Sequence, residues 1–160
     1  VMNSPSENSN SSGSLVVYAS VGASDAGLGG AATTAAITVN PIADTPAIEG
    51  GTVLEDGPLS GLHASRNIAD GVTTTHLKVS GITGGRLFVS EGNAEVLDGD
   101  FVDFANAIAG FVFTPTPDIN GTVGFSVQAA TGDSDLQLGG DIVASSIVVT
   151  PVPDLPSVSA

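Results

Sequence analysis

Apolar and polar residues alternate with a period of two along much of the chain, which predicts β-strands. The clearest case is residues 76–82, where Leu77 and Val79 share one face and polar side chains occupy the other. Residues 86–90 repeat this alternation after a Thr-Gly-Gly turn at residues 83–85. The two segments are therefore predicted to pair as a β-hairpin.

The same spacing predicts strands elsewhere in the chain. They fall at residues 14–20, 33–39, 59–64, 94–96 and 101–104, at Phe111 and Phe113, from Phe125 to Ala129, and from Val143 to Val149. Residues 21–30 are predicted to be a long connection and residues 66–74 a loop. No stretch keeps apolar residues at helical spacing between caps, so no helix is predicted. About seven of these strands fall between residues 59 and 149, and strands of this number and length predict an all-β fold, an antiparallel β-sandwich.

Part of this pattern occurs twice. Residues 1–50 align with residues 111–160 without a gap at an offset of 110, and fifteen of the fifty pairs are identical. Unrelated segments would share roughly three. The alignment predicts a tandem array with a period of 110. In that array residues 1–42 are the C-terminal part of a preceding repeat, residues 43–152 one complete repeat, and residues 153–160 the linker into the next.

Composition and charge narrow the partners. The 160 residues include seventeen acids and three bases, giving a formal charge of −14, and no cysteine. Phosphate backbones and anionic lipids would repel such a chain, so neither nucleic acid binding nor membrane insertion is predicted. No apolar run approaches the roughly 18 residues that span a bilayer. Divalent cations, calcium above all, are the partner that free carboxylates favour.

Several longer motifs resemble a known family. They are EDGPLSGL from Glu55, THLKVSGITGGRLF from Thr75, DGDF from Asp98, FVFTPTPDINGTVGFSVQA from Phe111, and the ADTP linker. Their order resembles the cadherin-like, immunoglobulin-like tandem repeats of very large secreted bacterial adhesins, including those with RTX tails. The resemblance covers nearly the whole chain. The chondroitin sulfate proteoglycan repeat, with a related strand order, is also similar.

The resemblance implies a structural role. Repeats of this family act in series as extenders on the bacterial cell surface, outside the cell, and calcium often makes their junctions rigid. In the cadherin linker, an Asn-Asp-Asn-x-Pro type signature supplies calcium ligands. Here Asp44-Thr45-Pro46 and Asp154-Leu155-Pro156 stand in its place, with Ala43 and Pro153 where the Asn would be.

Calcium takes six to eight oxygen ligands, usually from two or more carboxylates. The acidic residues that can converge fall into three groups: Glu55 and Asp56 with Asp44 at the linker; Asp100 and Asp103, beside Asp98, in a turn; and Asp133 and Asp135, with Asp25 as a repeat equivalent. Asp154, the junction residue equivalent to Asp44 at the offset of 110, is a further candidate ligand. The alternative interpretation is that Asp beside Gly serves turns and that the remaining acids are solvated.

No residue pattern predicts an enzyme. The chain has two histidines, His63 and His76, which are interpreted as ordinary strand residues. Neither a nucleophile elbow, a P-loop nor a dinucleotide-binding glycine pattern occurs. Paired carboxylates that cleave glycosides are normally walled by aromatic rings, and this chain has no tryptophan.

The sequence is consistent with three functions. The first is the extender, whose partners are neighbouring repeats. The second is a binding module that holds a surface glycan or protein through the loops at residues 66–74 or 91–103. The third is self-association, in which the incomplete N-terminal repeat donates its strands to another chain of an extracellular fibre.

Overall fold

The computed structural model describes residues 11–91 and 93–154. The first ten residues of the predicted preceding repeat, and residues 155–160 of the predicted linker, lie outside this part. Strands hold 53% of the described residues, so the prediction of an all-β chain is confirmed. The chain divides into two compact units, Val1–Pro41 and Ile42–Ala160.

The first unit contains one antiparallel hairpin. Strand β1 (Gly13–Ser20) and strand β2 (Leu28–Ile37) pair, and a 3-10 turn at Asp25–Gly27 precedes β2. Strand β2 begins five residues earlier than predicted, because Leu28 already pairs with Ser20. The connection is therefore shorter than the ten residues the sequence predicts.

The second unit holds eleven strands and one short helix among its described residues. The strands are β3 (Ala47–Ile48), β4 (Gly51–Leu54), β5 (Leu59–Leu62), β6 (Ala64–Ser65), β7 (His76–Thr83), β8 (Gly85–Val89), β9 (Glu95–Val96), β10 (Phe101–Asp103), β11 (Phe111–Pro115), β12 (Gly121–Ala130) and β13 (Leu138–Thr150); helix α1 is Phe104–Ala109 and a 3-10 turn lies at Asp135–Gln137. One sheet has the order β10-β7-β12-β13-β4, a second has the order β5-β11-β8-β9, and β3 pairs with β6.

The hairpins β1–β2 and β12–β13 have the same register at an offset of 110. Val17 pairs with Thr33, and Val127 pairs with Val143; both hairpins then shift register at the next residue of their first strand. Each returns through a 3-10 turn that begins at an aspartate, Asp25 or Asp135. The two aligned segments therefore adopt the same local structure, including its irregularity.

Both larger sheets contribute to one hydrophobic core in the second unit. The largest fully buried side chains include Phe104, Phe111 and Phe113. Phe111 meets Phe125 edge to face, with ring centroids 5.6 Å apart, a geometry that aromatic pairs favour. The core therefore joins β11 of one sheet to β12 of the other.

The predicted hairpin of residues 76–90 is wrong. Strand β7 pairs with β10 and β12, while β8 pairs with β11 and β9. The turn at Gly84 thus carries the chain from one sheet to the other. Leu77 and Leu87 are both fully buried. An alternating pattern shows which face of a strand is buried, but it does not identify the strand's neighbour.

One pairing departs from the predicted antiparallel arrangement, since β4 pairs in parallel with the end of β13. The long stretch of chain between them supplies the crossover that a parallel pair needs. The sequence also predicts no helix, whereas α1 follows β10 directly. Phe104 and Ala107 are its buried residues, and Gly110 ends it at a φ of 110°. A helix of six residues is too short for its periodicity to be recognised.

Candidate functional site

Acidic side chains gather where β13 ends and β4 leads into its following turn. Glu55 is buried, its backbone N–H donates to the Thr150 carbonyl at 3.1 Å, and its Oε1 accepts the Val152 N–H at 2.6 Å. Asp56 is exposed beside it. Because Glu55 holds the chain just beyond β13, it positions Asp154 at the same end.

Asp154 shows the electrostatic consequence of this arrangement. The carboxylate of Asp118 contributes most to raising the pKa of Asp154 above its ordinary value, and Asp56 and Glu55 add to the effect. Like charges disfavour one another's ionised forms. We call these four residues, Glu55, Asp56, Asp118 and Asp154, the acidic end.

Asp118 is the member of the acidic end that the sequence did not predict. It lies in the turn between β11 and β12 with a positive φ of 62°. The Pro117-Asp118 pair followed by Asn120-Gly121 is a turn signal. That signal indicates the turn, but it does not indicate that the turn lies beside residue 154.

The three basic residues of the chain lie elsewhere. Lys78 Nζ is 2.5 Å from Asp135 Oδ1, and Arg86 forms two hydrogen bonds of 2.6 Å with Glu95. The Arg86 guanidinium lowers the pKa of Glu95 by hydrogen bonding. Arg66 stacks over the Phe104 ring at 4.4 Å. No lysine or arginine is therefore left to neutralise the acidic end.

At the opposite end of the unit, the buried carboxylate of Asp70 accepts hydrogen bonds from the backbone. Asp70, only 5% exposed, accepts the Asp44 N–H through Oδ1 at 2.9 Å and Oδ2 at 3.1 Å. Asn67 Nδ2 donates to the Thr45 carbonyl at 3.3 Å, and Thr45 Oγ1 accepts the Asp141 N–H at 2.8 Å. The loop at residues 66–74 thus binds the backbone at the start of the unit, and Thr45 in turn binds β13.

Asp44 and Glu55 do not meet within the unit. Asp44 lies beside Gly140, near the start of β13, whereas Glu55 lies beside Thr150 at its end. Ten residues of strand separate these points by roughly 34 Å at about 3.4 Å per residue. The structure therefore brings Glu55, Asp56 and Asp154 together and leaves Asp44 at the far end.

The acids of the 98–103 segment make contacts within their own turn and with β7. Asp98 Oδ1 accepts the Ile82 N–H at 2.9 Å, and Asp100 Oδ2 accepts the Leu97 N–H at 2.8 Å. Asp103 Oδ1 is 3.2 Å from His76 Nε2. The bond from Leu97 supports the interpretation of Asp100 as a turn residue, whereas the contacts of Asp98 and Asp103 join this segment to β7.

The remaining candidates lie in the connection between β12 and β13. Asp133 is exposed, and Asp135 is paired with Lys78. His63, the other histidine, has Nδ1 2.9 Å from the Ile108 carbonyl oxygen, a contact between its loop and α1.

Across residues 11–91 and 93–154, no three acidic or histidine side chains converge closely enough to hold a metal ion by themselves. The acidic end is thus a set of mutually repelling carboxylates and not a closed coordination shell. None of the helices among the described residues has the length and apolarity needed to cross a membrane. A scan of protein-family models found no match to the chain, and a search of curated proteins found none either.

Substituting Asp70 tests how the start of the unit is held. Asp70→Ala should lower the free energy of unfolding by about 1–3 kcal/mol, because the Asp44 N–H loses its acceptor. Urea denaturation gives the free energy, and faster hydrogen exchange at Asp44 shows the release directly. Asp141→Ala, an exposed acid at the same end, should change stability by less than about 0.5 kcal/mol. Equal effects of the two substitutions would contradict this role for Asp70.

The raised pKa of Asp154 predicts a pH-dependent effect. A carboxyl whose folded pKa exceeds its unfolded value destabilises the fold while it is ionised, and protonation removes that penalty. Asp154→Asn should therefore raise the Tm at pH 7, and its advantage should vanish as the pH falls through the folded pKa. Calorimetry without divalent cations measures both. Asp133→Asn removes the same charge away from the acidic end and should raise the Tm at pH 7 less than Asp154→Asn does. A lower Tm for Asp154→Asn at pH 7 would contradict the prediction.

Proposed function

We propose that this chain is a non-catalytic structural extender from a bacterial cell-surface adhesin of the RTX type, located outside the cell. In this proposal its units are cadherin-like, Ig-like sandwiches repeated with a period of 110, and calcium makes their junctions rigid. The observation that carries the proposal is the shared register of β1–β2 and β12–β13. Two segments 110 residues apart that share even a strand irregularity are readily explained as copies of one unit.

The strand order supports the Ig-like assignment. Immunoglobulin constant-type sandwiches place strands A, B, E and D in one sheet and C, F and G in the other. The strands β6, β9 and β10, of two or three residues, are left without a letter. In chain order, β5, β7, β8, β11, β12 and β13 then become B to G. The neighbours β5-β11-β8 then read B-E-D, and β7-β12-β13 read C-F-G. Strand A corresponds to β3, which pairs with β6 just after B, and to β4, which pairs with G.

Calcium is supported by the position of the acidic end. Asp154 is equivalent to Asp44 at the offset of 110. In a tandem array, the aspartate at this position therefore contacts both units. Its carboxylate lies near Glu55, Asp56 and Asp118 of the unit before it. Its backbone N–H donates to the equivalent of Asp70 in the unit after it. Carboxylates without a basic partner are stabilised by a divalent cation. A cation bound there would join the two units.

A head-to-tail fusion of two copies of residues 43–152 tests the proposal. Its largest dimension in small-angle X-ray scattering should rise by roughly 40 Å over a single copy, since thirteen-residue β13 spans about that length. Millimolar calcium should narrow the distribution of distances by fixing the junction. Asp118→Asn in the first copy should weaken the calcium effect, and Asp133→Asn should leave it intact.

Two outcomes would count against the proposal in different ways. A fusion no longer than one copy would exclude an extender. Full extension with no response to calcium would leave an extender whose junction is stiffened by its prolines alone.

A further inference from the structure

The β1–β2 hairpin exposes a face that its counterpart buries. Leu15 and Val17 are 43% and 53% exposed, whereas Phe125 and Val127, at the equivalent positions, are 2% and 0% exposed. The backbone pairing is the same in the two hairpins. The difference therefore lies in what covers them.

The second unit shows what covers such a hairpin. Strand β7 pairs along the free edge of β12, and β4 pairs along the free edge of β13. The inner face of β12 packs in a core that also contains Leu62, Leu87 and Phe113, from β5, β8 and β11. Among the described residues of the first unit, β1 and β2 pair only with each other.

Apart from the register irregularity between Val17 and Ala19, the edges of the hairpin also lack protection. Between Gly13 and Ile37 the only charged residue is Asp25, which lies in the turn, and there is no proline. Natural proteins shield long exposed edges with charges, prolines or bulges. Eight- and ten-residue strands without a charge are typical of strands that have neighbours on both sides.

We propose that the face of the β1–β2 hairpin is a docking surface for a polypeptide segment with the strand pattern of residues 43–110. The segment contributes one strand along β1, one along β2, and a second sheet over Leu15 and Val17. A second hairpin pairing edge to edge would leave that face uncovered. This inference rests on the repeat of the proposed function, and it adds how a partial repeat is completed.

The offset of 110 makes the experiment simple. Because residue 1 is equivalent to residue 111, placing a copy of residues 43–110 directly before Val1 of the full chain restores the order of residues 43–152. Hydrogen exchange over residues 13–37 is compared between this fusion and the unmodified chain. We expect exchange at least about 100-fold slower in the fusion, since local opening would then require unfolding of a complete unit.

Two substitutions within the fusion distinguish docking from a general effect of added chain. Val17→Asp places a charge at the equivalent of the fully buried Val127, and it should abolish the protection. Val16→Asp adds the same charge on the opposite face, at the equivalent of Ser126, which is only partly buried, and it should leave most of the protection. Unchanged exchange in the fusion, or equal effects of the two variants, would overturn the proposal.

The oligomeric state completes the test. Dimers of the unmodified chain that disappear in the fusion would support the proposal, because both partners would compete for one face. Dimers that persist in the fusion with hairpin exchange unchanged would overturn it in favour of a second copy. The two-copy protein of residues 43–152 contains no partial repeat. If it lengthens as expected while the fusion before Val1 gives no added protection of the hairpin, the docking inference is rejected and the proposed extender function stands.

Discussion

Phe125→Ala should lower the free energy of unfolding of the second unit by about 3–5 kcal/mol. Phe125 is 2% exposed and packs against the Phe111 ring. Its removal loses the favourable free energy of transferring a large side chain from water into the core, and it leaves a cavity between the two sheets. For a unit of this size, the Tm should fall by on the order of 10–20 °C, which circular dichroism measures directly.

The repeat provides a matched control for this substitution. Leu15→Ala changes the equivalent position of the first unit, where the side chain is 43% exposed. We expect the Tm of the second unit to be unchanged, because Leu15 belongs to a separate compact unit. A loss below about 1 kcal/mol for Phe125→Ala would mean that the two sheets do not share the core described above.

Gly124→Ala should destabilise the second unit by about 2–4 kcal/mol. Gly124 has a φ of +152°, and a Cβ built there would overlap the carbonyl oxygen of Ser145 on the paired strand. Backbone atoms inside a sheet cannot move aside as a flexible side chain can. The loss should appear as a lower midpoint in urea denaturation with an unchanged slope.

A second glycine separates this clash from the general effect of adding a methyl group. Gly57 has no positive φ, and a Cβ there would only touch the Leu54 carbonyl at 3.9 Å. Gly57→Ala should therefore change stability by less than about 0.5 kcal/mol. If Gly124→Ala were equally neutral, the close approach of β12 to β13 at Ser145 would not exist in solution.

Sequence patterns located most strands of the second unit but not their neighbours. The alternation around Leu77 and Leu87 correctly predicted two strands with buried faces. It paired them wrongly, because a strand that crosses to another sheet has the same alternation as one that folds back. The two-residue strand β3 and the four-residue strand β4 were missed, since such short segments show hardly any periodicity.

The acidic end was predicted only in part, for a related reason. The sequence predicts Glu55, Asp56 and Asp154 as candidate calcium ligands, because they flank turns and prolines. Asp118 and Asp70 did not, because each acts on residues distant in sequence: Asp118 on Asp154, and Asp70 on Asp44. Such contacts depend on how loops at the ends of the sheets meet.

The sequence by itself determined the all-β class, the buried face of most strands, and the alignment of two segments at an offset of 110. These properties follow from local periodicity and from identity at a fixed spacing. Only the tertiary structure decided the partner of each strand, the parallel contact of β4 with β13, and the separation of Asp44 from Glu55. Strand pairing and side-chain proximity depend on the path of the chain between sheets, and alternation along one strand carries no information about that path.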